Sequence, residues 1–322
     1  MTSATSFTPG DRDPNREPLT VRRIGFGAMR LTGTPMSDDR DVASVDRFRS
    51  IAVLRRAVEL GVNHIDTAAF YISPMRSANE LINSALGPYP DDLLIATKVG
   101  PGVDPDGKRY TARPDQLRLQ VEENLRQLGR DHLDLVYLRR MRQDSIAEDF
   151  GALAELREAG LIRHLGVSNA RLTHLVEAQR IAPVVAVENR FSLESRLDED
   201  VLHACAEQNI AFVPYFAIAG EGREAGFGAR ETVREVDEAV AQIAKRHEAT
   251  PAQVRLAWTL HQGPNVLAIP GTSSLAHLEE NVAAGELELS GEDLTQLNSH
   301  YSAEQVTEAG GASAPEVSDT RK

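Results

Sequence analysis

Short apolar runs alternate along the chain with longer stretches in which apolar positions recur every three or four residues. The runs are continuous rather than alternating, as expected of strands covered on both faces in a parallel sheet. They predict strands at Ile24–Met29, His64–Ala68, Leu93–Val99, Leu133–Leu138, Ile162–Ser168, Val184–Asn189, Ala211–Phe216 and Val266–Pro270. The stretches between them predict helices near Ser50–Leu60, Asn79–Leu86, Asp115–Leu128, Ala147–Ala159, Arg171–Arg180, Asp198–Gln208 and Leu275–Ala284. In the helix over Asp115–Leu128, the residues Leu117, Val121, Leu125 and Leu128 make one face, and Gly129 ends it. Two extra helices, about Thr232–His247 and Pro251–His261, precede the eighth strand, and a last one covers Gly291–Ser302.

Eight strand–helix units in this span predict a (β/α)8 TIM barrel with additional helices before strand eight and at the C-terminus. A doubly wound sheet is the competing architecture. It would carry a glycine-rich phosphate turn after its first strand, and Gly25-Phe-Gly27-Ala-Met-Arg lacks the third glycine and the opening helix. Residues 1–18 read as a polar N-terminal arm or hairpin, 19–302 as one barrel domain, and 303–322 as a flexible tail rich in Ser, Ala, Gly and Glu. The glycine-rich loop Ala217–Arg230 is either a mobile flap over a ligand or a plain connector.

Composition narrows the class of protein. The 322 residues are 41% hydrophobic and 26% charged, a globular balance, and no apolar run approaches the roughly 20 residues that span a bilayer. Met1-Thr-Ser-Ala-Thr-Ser-Phe has no basic start or apolar core, so no secretory signal is expected there. The lone Cys205 excludes an internal disulfide and fits a reducing compartment. A formal charge of −13 argues against a general electrostatic grip on nucleic acid. The expectation is a cytoplasmic enzyme acting on a small molecule, with no membrane and no nucleic-acid partner.

In a barrel of this kind chemistry collects at the C-terminal strand ends. Those ends carry Asp66 with Tyr71, then Lys98, Arg139, Ser168-Asn169, Glu188-Asn189, Tyr215 and Gly271-Thr-Ser-Ser274. A lysine inside an apolar run is costly to bury unless paired, and Asp66, one strand away, is the natural partner of Lys98. Taken as a pair they could equally be a structural ion pair. With Tyr71 beside them, the lysine ammonium is expected to favour the phenolate and draw the tyrosine pKa down from about 10. Such a group donates a proton to a carbonyl oxygen while another group delivers hydride.

Asp66-Thr-Ala-Ala-Phe-Tyr71, the Ala-Thr-Lys98 strand, Gly166-Val-Ser168-Asn169 and Ile269-Pro-Gly271 with Glu280-Asn281 together resemble the aldo-keto reductase superfamily, in order from Ile24 to about Asn281. Leu133-Asp-Leu-Val-Tyr-Leu-Arg139 and the run from Ile269 to Leu278 resemble its bacterial pyridoxal (pyridoxine 4-) reductase-like members. The resemblance implies a (β/α)8 barrel that binds NADPH extended, without a Rossmann domain. It makes Tyr71 the general acid and Lys98 and Asp66 its tuning pair. Ser168 and Asn169 would bond the nicotinamide carboxamide, Tyr215 would stack on the ring, and Gly27 and Met29 would border the cofactor. Gly271, Thr272, Ser273 and Ser274, with the helix carrying His277, Glu280 and Asn281, would hold the adenosine end.

The sequence departs from that pattern in places. The usual histidine at the end of strand four is Arg139, followed by Arg140 and Arg142. Arginine cannot shuttle a proton, yet it can polarise a carbonyl; a solvated basic loop is the bland reading. Glu188 replaces the common glutamine at the carboxamide and can accept but not donate there. The cationic 2′-phosphate contacts appear as Gly271 and His277, so NADH is possible beside NADPH. Trp258 and Cys205 read as core, and His64, two residues before Asp66, as packing one layer deeper. His132, His203 and His300 lack metal-ligand spacing, so no metal is expected.

The leading function is an NAD(P)H-dependent reductase of aldehydes or ketones, with pyridoxal as one candidate substrate. Hydride would come from the nicotinamide C4 and the proton from Tyr71, with Arg139 steadying the developing charge. Two alternatives stand beside it: a cofactor-binding redox sensor with little turnover because Arg139 replaces the histidine, and a barrel aldolase using a Lys98 Schiff base.

Overall fold

The computed structural model describes residues 6–10, 20–32, 46–73, 75–104, 108–218 and 230–299. Seven parallel strands pair in one curled sheet: β1 (Phe26–Gly27), β2 (His64–Asp66), β3 (Leu94–Val99), β4 (Leu133–Arg139), β5 (Ile162–Ser168), β6 (Ala186–Arg190) and β7 (Ala211–Tyr215). They are hydrogen-bonded in chain order. Helices α1 (Arg47–Glu59), α2 (Ala78–Leu86), α3 (Pro114–Leu128), α4 (Ala147–Glu158), α5 (Leu172–Gln179) and α6 (Glu199–Glu207) connect them. After β7 come α7 (Arg230–Arg246), α8 (Pro251–His261), α9 (Leu275–Ala283) and α10 (Gly291–Ser299). This is the expected (β/α)8 barrel with extra helices.

The expected eighth strand forms as a stave of isolated bridges rather than a ladder. Residues 266–270 lie between β7 and β1, with Val266 bridging Phe212 and Ala268 bridging Ile24. Leu267 N donates to Phe212 O at 2.9 Å and Ala268 N to Arg23 O at 2.8 Å, which closes the ring. Regular pairing is interrupted for two reasons: the Arg23 guanidinium takes the Val266 carbonyl at 3.1 Å, and Pro270 has no N–H to give. The first strand is also shorter than expected, because Ala28–Thr32 coil into a 3-10 helix.

Strand alternation divides the apolar residues between two cores. Leu94, Ala96, Leu135, Tyr137, Ala186, Ala211 and Val213 fill the barrel interior, while Ile95, Val99, Val136, Leu138 and Val187 face the helices. The arm enters this account through Phe7 and Val21, buried residues that pair as an antiparallel ribbon and join the interior cluster. Outside the ring, Trp258 is fully buried and stacks on Phe191 at 5.9 Å, as a core residue should. The α3 face differs from expectation: Asn124 and Gln127 are buried beside Leu117, Val121 and Leu128, and Leu125 is half-buried. Gly129 ends α3 in the left-handed region at φ 64°, a conformation that costs glycine little. Most of the glycine-rich Ala217–Arg230 loop and the whole 303–322 tail lie outside the described residues.

Candidate active site

The parity that builds the interior core also builds the site. His64 and Asp66 on β2, Ala96 and Lys98 on β3, Tyr137 and Arg139 on β4, Ser168 on β5, Glu188 on β6 and Tyr215 on β7 share the inward phase of their strands. Register steps them towards the C-terminal rim: Asp66 is level with Ala96, Lys98 with Tyr137, Arg139 with Ser168, and Ser168 with Glu188. Below the last layer the inward positions are mostly apolar, with His64 a buried polar exception one layer down.

At the centre lies Lys98, 1% exposed. Its Nζ donates to both oxygens of Asp66 at 2.5 and 2.6 Å and to the Thr67 carbonyl at 3.2 Å. The Asp66 partnership is the one expected from sequence. Glu188 Oε2 also stands 3.2 Å from Nζ, so one ammonium serves two buried carboxylates. Burial opposes the ammonium, but Asp66 and Glu188 more than offset it and hold the Lys98 pKa above the ordinary lysine value. Asp66 moves up as well: burial and the Glu188 charge disfavour its ionised form more than Lys98 favours it. The Asp66 shift comes first from burial and then from the Glu188 charge, whereas the Lys98 shift comes from its two carboxylate partners against burial.

Tyr71 follows β2, with its ring centroid 5.1 Å from Lys98 Nζ. Here the expected downward shift is overturned. Burial pushes the phenol up to about 12; Lys98 and Arg139 pull it down, and Asp66 and Glu188 counter them. Two carboxylates, Asp66 and Glu188, oppose the ammonium's field at the phenol, and burial remains the largest influence.

Around this layer sit the remaining rim residues. The Arg139 guanidinium lies over the Tyr215 ring, 5.4 Å from its centroid. The Tyr215 hydroxyl donates to Asn169 Oδ1 at 3.4 Å, and Asn169 Nδ2 donates to the Arg140 carbonyl at 3.0 Å. Asn169 holds φ 57°, a left-handed conformation that asparagine tolerates better than most residues. Ser168 is fully buried and its Oγ has no hydrogen-bond partner among the described residues. His64 lies below Asp66, packed so closely on Gly25 that a Cβ there would meet its Nε2 at 2.1 Å. Burial lowers its pKa to about 4, against a weak contrary pull from the Arg22 backbone. Cys205 is buried in α6, and burial pushes its thiol up to about 12, so it is no nucleophile.

The residues expected at the adenosine end form a separate group at the stave and α9. Ser274 caps α9, accepting from His277 N at 3.5 Å, and Thr272 Oγ1 accepts from Ser274 N at 3.0 Å. Ser273, Glu280 and Met29 are half-buried, His277 is exposed and Asn281 is buried. Gly27 and Gly271 have a structural reason to lack side chains. A Cβ on Gly27 would meet the Ile269 carbonyl at 2.5 Å, and one on Gly271 would meet the Gly27 carbonyl at 2.5 Å. They let the stave close against β1.

A supporting network escaped the sequence reading. Thr67 Oγ1 donates to Asn79 Oδ1 at 2.8 Å, Asn79 Nδ2 to Asn124 Oδ1 at 2.9 Å, and Thr97 Oγ1 to the same Asn124 oxygen at 2.6 Å. Thr67 and Thr97 neighbour Asp66 and Lys98 in sequence and point to the opposite face. This buried polar cluster ties β2 and β3 to α2 and α3, fixing the strand ends that carry the ion pair. Its signal was present: Asn124 falls at a core position of α3, seven residues after Leu117.

A closed barrel with a buried lysine–carboxylate cluster and a tyrosine at its C-terminal rim defines an enzyme of the barrel class with its chemistry at the strand ends. The model of the Aldo/keto reductase family matches residues 23–302. The chain is 40% identical over 304 residues to the pyridoxine 4-dehydrogenase of Escherichia coli, a match covering 92% of this chain and 98% of that one. Among solved structures it resembles a thermostable aldo-keto reductase crystallised with the inhibitor epalrestat, at 29% identity and a TM-score of 0.72 over 91% and 99% of the two chains. It also resembles a Klebsiella pneumoniae aldo/keto reductase in complex with NADP and acetate, at 26% identity and a TM-score of 0.71 over 88% and 92%. The chain belongs to the aldo/keto reductase family and is an oxidoreductase. Among the described residues no helix is long and apolar enough to cross a membrane.

Proposed function

We propose that the protein reduces aldehydes to alcohols with NADPH, and that pyridoxal is among its substrates. The observation that carries this reading is Lys98, held protonated by Asp66 and Glu188 with its Nζ 5.1 Å from the Tyr71 ring centroid at the barrel rim. The pyridoxine 4-dehydrogenase of Escherichia coli and the NADP-bound Klebsiella pneumoniae structure support this choice of substrate and cofactor.

Several groups fit a nicotinamide cofactor. The buried, unpartnered Ser168 hydroxyl and Asn169 beside it suit an amide, and the Tyr215 ring suits a flat heterocycle. Glu188 is assigned to Lys98 rather than to the carboxamide, since it is 1% exposed and drawn inward. The start of α9, with Ser273, Ser274 and His277, suits a phosphate. When bound, NADPH supplies the hydride.

The chain's own residues handle the proton. Tyr71 stays protonated at neutral pH and gives its hydroxyl proton to the substrate oxygen as negative charge develops there. Lys98 cannot act as an amine nucleophile while it is protonated between two carboxylates, which disfavours a Schiff-base aldolase. Oxidation of NADPH by pyridoxal tests the reading. Tyr71→Phe is expected to lower kcat by about 10²–10⁴-fold with little change in cofactor binding. Full turnover in that variant would overturn the assignment, and tight NADPH binding by the parent without turnover of any aldehyde would favour a redox sensor.

A further inference from the structure

Among the described residues of the rim, Arg139 carries a charge that no acidic group balances directly. It ends β4 level with Ser168, half-buried, with its guanidinium over Tyr215 and close enough to Tyr71 to favour the phenolate. Among the described residues its side chain makes no hydrogen bond and no ion pair. Its neighbours differ. Arg140 Nε donates to the Gln143 carbonyl at 2.7 Å, and Asp144 and Asp198 lie near enough to support its charge. Lys98 is committed to its two carboxylates. In a chain of net charge −13, a half-buried arginine over Tyr215, without an acid partner and on the same rim as the proton donor, is positioned for an anionic ligand.

The shape of the group narrows that ligand. A guanidinium presents two parallel N–H donors that bind a pair of neighbouring oxygens. The carbonyl oxygen of the substrate must lie at the Tyr71 hydroxyl to receive its proton. A fork beside it can then hold that oxygen and a second one close by. We propose that Arg139 selects aromatic aldehydes bearing an ionisable hydroxyl ortho to the carbonyl, gripping the aldehyde oxygen and the ortho oxygen together. The inference rests on the aldehyde-reductase reading and deepens it. Pyridoxal, a 3-hydroxypyridine-4-carbaldehyde, is one member of the class. The ortho oxygen keeps its charge throughout the reaction and contributes to binding, whereas the carbonyl oxygen gains charge in the transition state and contributes to rate.

The test compares 2-hydroxybenzaldehyde, 4-hydroxybenzaldehyde and 2-methoxybenzaldehyde with NADPH, in the parent and in Arg139→Lys and Arg139→Gln. The parent is expected to prefer the ortho-hydroxy compound by about tenfold or more in kcat/KM, a preference that grows as pH rises through the substrate's own phenol pKa. Arg139→Lys keeps the charge without the fork and should lose most of the ortho-over-para ratio, and Arg139→Gln should lose it all. A parent that reduces the ortho and para compounds equally, or a ratio that survives in Arg139→Gln, overturns the inference and leaves the reductase reading standing. Preference for a 2-oxo acid such as phenylglyoxylate over 2-hydroxybenzaldehyde would also overturn it, assigning the fork to a carboxylate. A parent that turns over none of these aldehydes, nor pyridoxal, sinks the reductase reading itself.

Discussion

Replacing Glu188 by glutamine removes an ion pair at 3.2 Å, yet the structure predicts that the protein loses almost nothing. At an effective dielectric of about 20, two unit charges 3.2 Å apart attract by about 5 kcal/mol. Glu188 also repels Asp66, which it lies against, by an energy of the same order, and a buried carboxylate costs several kcal/mol to desolvate. The terms offset. Glu188→Gln should change unfolding free energy at pH 8 by less than about 1 kcal/mol, in either direction. Lys98→Met is the contrast: it leaves two uncompensated carboxylates in a dry layer and should cost about 3–5 kcal/mol. The double variant should recover about 2 kcal/mol of that loss, because one stranded charge has gone. Urea unfolding of all four proteins measures these differences.

The same variants carry a pH signature. The folded-state pKa of Asp66 is raised, so its contribution is fully present below the unfolded carboxylate pKa and is lost as pH rises through the folded value. The parent's stability should therefore fall between acidic and neutral pH at this site, and Glu188→Gln should flatten that slope. A loss above about 2 kcal/mol in Glu188→Gln at pH 8, or an unchanged slope, would refute the surplus-charge account.

Two further outcomes follow from the buried groups. With the phenol of Tyr71 held up to about 12, the pH profile of aldehyde reduction should show no alkaline limb from this residue until above roughly pH 10; a limb centred near neutrality that vanishes in Tyr71→Phe would show the ammonium outweighing burial. His64, lowered to about 4 from 6.5, contributes stability that is present above 6.5 and lost as pH falls towards 4, so His64→Gln should gain about 2–3 kcal/mol on the parent between pH 7.5 and pH 4.5 in denaturant unfolding. A stability gap that does not move with pH would show that His64 is not held neutral by burial.

Strand positions and the inward phase of Asp66, Lys98, Glu188 and Tyr215 were legible because alternation is a property of the local chain. The Asp66–Lys98 pair was legible for the same reason: burying one charge demands another nearby. What failed depended on neighbours remote in sequence. The stave at 266–270 reads as a strand until the Arg23 side chain, more than 240 residues away, takes the Val266 carbonyl. Asn124 looks like an interruption of an apolar face until Thr97 and Asn79 arrive from two other elements. Gly27 and Gly271, expected at the cofactor, are each needed where two backbones approach.

The expectation for Tyr71 left out burial, the largest influence on the phenol, and the two positions where the sequence leaves its family's pattern act on it after burial. Lysine beside tyrosine predicts an acidic phenol only if the phenol is well solvated and the other charges in reach are few. Glu188, in place of the family's usual glutamine, adds a negative charge to the buried layer and opposes the Lys98 field at the phenol. Arg139, in place of the usual histidine, adds a permanent positive charge at the rim, within reach of the same phenol. The two changes have opposite signs, so the four groups Asp66, Glu188, Lys98 and Arg139 are neutral together but divided into a negative lower layer and a positive mouth. Such a division leaves the positive potential at the mouth, where substrate enters. A substrate bringing its own negative oxygen to the mouth restores charge balance there, which is why a specificity determinant at Arg139 and a surplus carboxylate at Glu188 belong to one electrostatic arrangement rather than two independent departures.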